Sequence, residues 1–292
     1  MICNLCPRKC SAVRTEHSGS GFCQMGTLPV VARIAPHYGE EPCISGTNGS
    51  GTVFFSGCTM KCKFCQNHEI SLTGKGTALT PEQLAEGYRM LEQSGVHNIN
   101  LVTADHFVEA VVKSLEIYRP KLPIVYNCSG YTAPKTLSML DGLVDIYLPD
   151  FKYADDSLAK KLSHAPDYSA TALAAIKEMI FQVGTPEFDA DGLMKKGVIV
   201  RHLILPGCTV DSCKVLDFIS ERLPKGTPVS LMRQYTPSPF CKISGLDRRI
   251  TEKEYNRVRD HMLALDLPGF LQEPDSADRD FIPLFNQDES FV

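Results

Sequence analysis

Cys58, Cys62 and Cys65 stand in Phe54-Phe55-Ser56-Gly57-Cys58-Thr59-Met60-Lys61-Cys62-Lys63-Phe64-Cys65-Gln66-Asn67, at C-x3-C-x2-C spacing. This spacing lets one tight loop aim three thiolates at a single centre. Three cysteines are one short of closing a tetrahedral zinc site, and one short of capping all four irons of a cubane cluster. A cluster held this way keeps one iron open to a substrate or cofactor. Two plainer readings stand beside it: a structural zinc loop with a distant fourth ligand, and three cysteines of a core. A second group, Cys3, Cys6, Cys10 and Cys23, lies within the first 23 residues. It suits a closed four-thiolate site, zinc or an auxiliary iron–sulfur centre, or else a set of unliganded thiols. So short a segment buries little core, and a bound metal would hold it together.

The elements that must position these residues follow from the pattern after residue 53. Apolar runs predict strands at Val53–Ser56, Asn98–Thr103, Pro123–Tyr126, Val144–Leu148, Val198–Leu205 and Val229–Leu231. Amphipathic stretches between them predict helices near Pro81–Ser94, Phe107–Tyr118, Ala133–Leu140, Asp155–Leu162, Tyr168–Phe181 and Val210–Arg222, with a last one at Thr251–Leu265. Thr80-Pro81-Glu82 is a helix-start signal. Such alternation predicts a parallel sheet with right-handed crossovers, here an α/β partial (β/α)6 barrel. The expected organisation is a cysteine-rich metal-binding extension over 1–50 and the barrel with a C-terminal cap over 51–292.

In β/α barrels the chemistry gathers where strands end, and every predicted strand here ends on polar residues. The first runs into the cysteine loop, the second into Thr103-Ala104-Asp105-His106, the third into Asn127-Cys128-Ser129-Gly130. The fourth gives Asp150-Phe151-Lys152, the fifth carries Arg201-His202, and the sixth ends in Arg233-Gln234-Tyr235. Asp150 and Lys152, two apart on an extended segment, either face the barrel mouth together or form a rim ion pair of little worth. His202 reads as a site residue or as a hydrogen-bonded core histidine. His37, Glu40 and Glu41 sit in a turn that is either solvated or part of the site. Gly46-Thr47-Asn48-Gly49-Ser50-Gly51 lacks the Lys-Ser/Thr pair and the following helix of a nucleotide loop. Cys43, Cys128, Cys208, Cys213 and Cys241 read as buried thiols.

The cysteine loop, with Phe64 before its last cysteine, resembles that of the radical S-adenosylmethionine (SAM) superfamily. Phe64-Cys65-Gln66-Asn67 is similar to the version in pyruvate formate-lyase activating enzymes and their PflX-like relatives, and the N-terminal cysteine lead is similar to that of PflX-like proteins. The resemblance implies a [4Fe-4S] cluster on Cys58, Cys62 and Cys65 and SAM chelated at the open iron. It implies reductive cleavage to a 5′-deoxyadenosyl radical for hydrogen abstraction, most naturally from a glycine of a glycyl-radical-type protein. Asp150 and Lys152 match the family's Asp-x-Lys, which helps bind the methionyl part of SAM, and Arg201-His202 through Pro206-Gly207 matches its strand near the ribose and adenine. Thr103, Asp105, Asn127, Ser129 and His202 complete the expected SAM-binding set. One departure is clear. The family's Gly-Gly-Glu-Pro is replaced by Val102-Thr103-Ala104-Asp105-His106; Thr103 and Asp105 offer oxygen acceptors on a backbone that is less freely shaped. This weakens the inference to the activating enzymes' substrate, so a small molecule, a peptide or RNA stands as the alternative. A non-catalytic iron–sulfur carrier is the rival from outside enzymes. The expected electron donor is a flavodoxin or ferredoxin.

Composition narrows the classes. The 292 residues carry a net charge of −4 and an isoelectric point near 6.1, which argues against a nucleic-acid or anionic-membrane binder. Apolar residues make up 43%, enough for one sizeable core. No apolar run is long enough to span a membrane, and Met1-Ile2-Cys3-Asn4 starts no signal core. The 12 cysteines cluster in ligand-like groups rather than as staples, so a reducing, cytoplasmic and anaerobic setting is expected.

Overall fold

The computed structural model describes residues 2–272 and Phe285. The expected C-terminal cap, Gln272 through Pro283, lies outside the described residues except for Gln272.

Strands Ser50–Phe55, Ile99–Val102, Ile124–Cys128 and Ile146–Pro149 lie side by side in parallel. Their residues are almost all buried, as for strands covered on both faces. The run expected over Val198–Leu205 is divided at Ile199 because it changes neighbours. Met194–Val198 pairs with Ile146–Pro149, and Val200–Leu203 pairs with Val229–Met232. A single parallel bridge, Asp150 to Arg201, carries the wall across this seam. The partial barrel expected from the sequence is therefore present. It gains one parallel strand, Gly269–Leu271 beside Val229–Met232, and three antiparallel ones: Val30–His37 beside Ser50–Phe55, Thr77–Ala78 beside Val30–His37, and Glu187–Phe188 beside Met194–Val198.

The first of these antiparallel strands corrects the expected boundary at residue 50. Val30–His37 belongs to the main sheet, so the cysteine-rich segment outside it ends before Val30. The segment contributes a short pairing of its own, Ile2–Cys3 with Ala12–Val13, and two isolated bridges, Arg14 with Gly19 and Ser18 with Met25.

Helices cover the outside of the sheet for reasons written locally. Thr80 caps Pro81–Gln93 in a capping box with Gln83, and Leu84, Tyr88 and Leu91 recur at helical spacing on its buried face. The Tyr88 hydroxyl meets the Ser114 hydroxyl at 3.1 Å, tying this helix to Val108–Ile117. A second capping box, Thr251 with Glu254, starts Glu252–Ala264, which leads into the last strand. Among the described residues no helix is long and apolar enough to cross a membrane.

Candidate active site

The parallel strands end around a cavity of about 200 Å³ lined by Cys58, Cys62 and Cys65 and by residues of nearly every strand end. The cysteine loop is held from several sides. The Ser163 hydroxyl donates to Cys62 Sγ at 2.9 Å, and Lys63 N donates to Leu162 O at 2.9 Å. Met60 and Phe64 are buried beneath it. Burial pushes the Cys58 and Cys62 thiols up to about 11 and raises that of Cys65. Three such thiolates are sustained only by a strong positive charge among them, which is what a metal centre supplies. Among the described residues no three His, Cys, Asp or Glu side chains are close enough to hold a single metal ion. Three thiolates of one short loop at the edge of a polar-lined cavity are the donor set for a cluster that keeps one iron open.

Five of the seven residues expected to bind SAM line this cavity: Thr103, Asn127, Ser129, Asp150 and Lys152. Lys152 Nζ and Asp150 Oδ2 are 2.5 Å apart, with side chains only 17% and 19% exposed, so this is no rim pair. Burial lowers the Lys152 affinity for its proton, but Asp150 and the nearby thiols more than reverse this, and the ammonium is secured. Thr103 takes φ +63°, the left-handed conformation that a glycine would adopt freely. The expected stiffness of this turn is thus overcome, by a Thr103 N to Asn127 O hydrogen bond of 2.9 Å.

The other two stand behind the wall. Asp105 is buried, accepts from the Thr132 hydroxyl, and is pushed up to about 6 by burial. Its carboxyl also faces the Tyr126 hydroxyl. His202 is buried with Nδ1 2.7 Å from Phe151 O and Nε2 unpartnered, and burial pushes it down to about 4. Neither is among the lining residues.

The cavity also takes in His37, Gly39, Glu40, Arg201 and Gln234, outside the expected set. Glu40 Oε2 is 2.7 Å from Arg201 Nη2, and Glu40 Oε1 accepts from Asn100 Nδ2 at 3.0 Å and Asn127 Nδ2 at 3.3 Å. Glu40 and Glu41 were legible as paired acids in a turn, but nothing local placed them inside the barrel.

The four N-terminal cysteines are brought together around a closed space of only about 10 Å³, with Arg8, Arg14 and His106. This segment grips the cysteine loop. Arg8 donates to Thr59 O at 2.6 Å, Ser163 O at 3.2 Å and His164 O at 2.5 Å, under the Phe22 ring at 3.8 Å.

Comparison with known proteins agrees with this geometry. The family model of the Radical SAM superfamily matches residues 52–192. An uncharacterized protein of Methanocaldococcus jannaschii, MJ0674, is 28% identical over 269 residues, covering 88% of this chain and 72% of that one. In fold, the chain resembles HydG, a maturase of the [FeFe]-hydrogenase, with a TM-score of 0.53 at 15% identity, over 82% of this chain and 56% of HydG. It resembles Streptococcus suis SuiB bound to precursor peptide SuiA with a TM-score of 0.50 at 12% identity, over 74% of this chain and 47% of SuiB. The chain thus spans about half the length of these two solved structures. The Radical SAM superfamily model covers the cysteine loop and the strand ends through Lys152 in a stretch a little under half of the chain; for that stretch it implies a [4Fe-4S] cluster and SAM, while the solved structures show likeness of fold.

Proposed function

We propose that this protein is a radical SAM enzyme in which Cys58, Cys62 and Cys65 hold the cluster and the cavity beside them takes SAM and substrate together. The observation that carries it is one cavity lined at once by the three cysteines and by polar residues of the surrounding strand ends. When bound, cluster and SAM supply a 5′-deoxyadenosyl radical that removes a hydrogen atom from substrate. The chain's own residues bind, orient and exclude. Lys152, fixed by Asp150, offers a cation at the cysteine end, suited to the methionyl carboxylate. Thr103, Asn127 and Ser129 offer hydrogen-bonding groups along one wall. Phe54, Met60, Phe64, Val102, Met232 and Tyr235 give the cavity the apolar surface that keeps water from a radical. The reducing electron is assigned to a flavodoxin or ferredoxin. For Cys3, Cys6, Cys10 and Cys23 we propose a second metal, zinc or an auxiliary cluster, because their side chains surround one space; a metal there would draw the thiols closer than they stand.

For the substrate, the charged far end of the cavity favours a small polar molecule or a peptide side chain, since a glycine backbone brings no charge to meet it. Activation of a glycyl-radical-type protein is the second reading, favoured by Phe64-Cys65-Gln66-Asn67. Anaerobic reconstitution with iron and sulfide, followed by SAM and dithionite, tests the core of the proposal. The expected result is 5′-deoxyadenosine from the wild type and none from Cys65→Ala. Undiminished product from Cys65→Ala would remove the assignment. Metal counts that are equal in wild type and Cys6→Ser would remove the second centre.

A further inference from the structure

The two ends of the cavity differ chemically. Cys58 follows the last residue of strand Ser50–Phe55, whereas His37 is paired with Ser50, its first. The segment from His37 to Glu41 therefore closes the barrel from the opposite end, and from there Glu40 reaches inward to Asn100, Asn127 and Arg201. Barrel interiors are ordinarily packed with branched apolar side chains. Here a buried charge cluster replaces that layer.

The charges in the cluster do not balance. Arg201, with a side chain 10% exposed, faces two carboxylates, Glu40 at 2.7 Å and Glu41 at 3.0 Å, themselves 6% and 4% exposed. Asp150 and Lys152 cancel one another nearby, so among these five side chains one negative charge is left over, with Arg33 the further cation that acts on His37. Two buried acceptors have no donor, Glu41 Oε2 and Asn100 Oδ1. Arg201 Nε sits opposite Glu41 Oε1 without the alignment of a hydrogen bond. Glu41 and Asn100 stand behind the lining residues, so what an occupant of the cavity can answer is the surplus charge, which is costly in a buried place unless positive charge is brought near it. Arg201 is already oversubscribed, which disfavours a carboxylate at this end. At this end of the cavity the lining residues that offer acceptors are Glu40, Asn127, whose amide N–H is donated to Glu40, and His37. Burial lowers the proton affinity of His37, leaving a neutral ring that accepts. Three acceptors and one surplus charge match the three donors and single charge of an ammonium group.

We propose that the Glu40 end of the cavity binds a protonated primary amine carried by the substrate, with Glu40 in contact and Glu41 supplying the surplus charge from behind Arg201. This rests on the radical SAM reading only for the word substrate; the site itself is testable without turnover.

The test uses the full-length reconstituted protein and three probes of one shape: n-butylammonium, n-butanol and butyrate. Calorimetric titration should show butylammonium binding in preference to the other two, with SAM present or absent. Glu40→Gln and Glu41→Gln, which keep size and hydrogen bonding, should each weaken it by about tenfold. Equal binding of butanol, preference for butyrate, indifference of both variants, or displacement of butylammonium by SAM would each overturn the proposal. Deoxyadenosine formed by the same samples separates the two claims. Product without selective ammonium binding sinks this inference alone. Selective binding without product upholds the site and sinks the radical reading.

Discussion

The buried histidines set how the protein responds to acid. Burial pushes His106 and His202 down to about 4 in the fold, against the weaker opposing pull of their bonds to Ser56 O and Phe151 O. An unfolded histidine titrates near 6.5. Between those values unfolding takes up protons, so this contribution is present above pH 6.5 and is lost as pH falls toward 4. Each histidine accounts for up to about 3 kcal/mol. Asp105 acts with the opposite sign. Its carboxyl is raised to about 6, so its contribution is held at low pH and lost as pH rises through 6. Two histidines outweigh one carboxyl, and the melting temperature should fall between pH 6.5 and 4.5. Asp105→Asn removes the opposing group and should steepen that fall; an unchanged slope in thermal scans would refute the assignment. Residue types at the strand ends were legible in the sequence. Orientation was not: Thr103 and Asp105 are two apart, yet one lines the cavity and the other is buried behind it. The left-handed Thr103 intervenes, and alternation along a strand cannot foresee a change of backbone region.

At the scale of elements, the site depends on how strand ends are locked to one another. Gly130 follows strand Ile124–Cys128 at φ +73°, and a Cβ there would lie 2.1 Å from Asp150 O, at the end of the next strand. That carbonyl accepts from the Tyr168 hydroxyl at 2.9 Å, which in turn accepts from Lys152 N at 2.9 Å. Gly130→Ala should therefore destabilise the fold by more than about 2 kcal/mol and weaken SAM binding, because Asp150 and Lys152 must both move. Calorimetric titration of SAM into the variant checks the second effect. Strands of four or more apolar residues were readable because periodicity had length to act on. Gly269–Leu271 is only three residues long and largely unburied, and takes its register from strand Val229–Met232 alone. The short helix Pro134–Leu137 passes into a 3-10 turn at Ser138–Leu140, which the expected single helix did not anticipate.

Across the whole molecule, the cysteine-rich segment and the barrel are one folded body. Met25 belongs to the same buried cluster as Phe55, Phe107 and Tyr235. The buried Arg14 donates to His106 O at 2.7 Å and to Met25 O at 3.1 Å, and the Thr136 hydroxyl donates to Leu5 O. Composition marked the segment as separate, because a short stretch rich in Cys and Gly lacks the apolar content of an independent core. Its attachment relies on side chains reaching backbone carbonyls far away in the sequence, and no local pattern reports those. Two elements sharing a core unfold together, so circular dichroism and the fluorescence of a probe attached near the N-terminus should report one coincident transition. Arg8→Ala removes three bonds to the cysteine loop and its neighbour, a loss of about 2 kcal/mol for a partly exposed charged donor. It should lower that single transition and impair cluster assembly in the same variant, with Arg8→Lys restoring only part of each, since one ammonium cannot span three carbonyls. Two separate transitions in the wild type, or full cluster assembly in Arg8→Ala, would show that the segment is an appendage and not the brace of the cysteine loop.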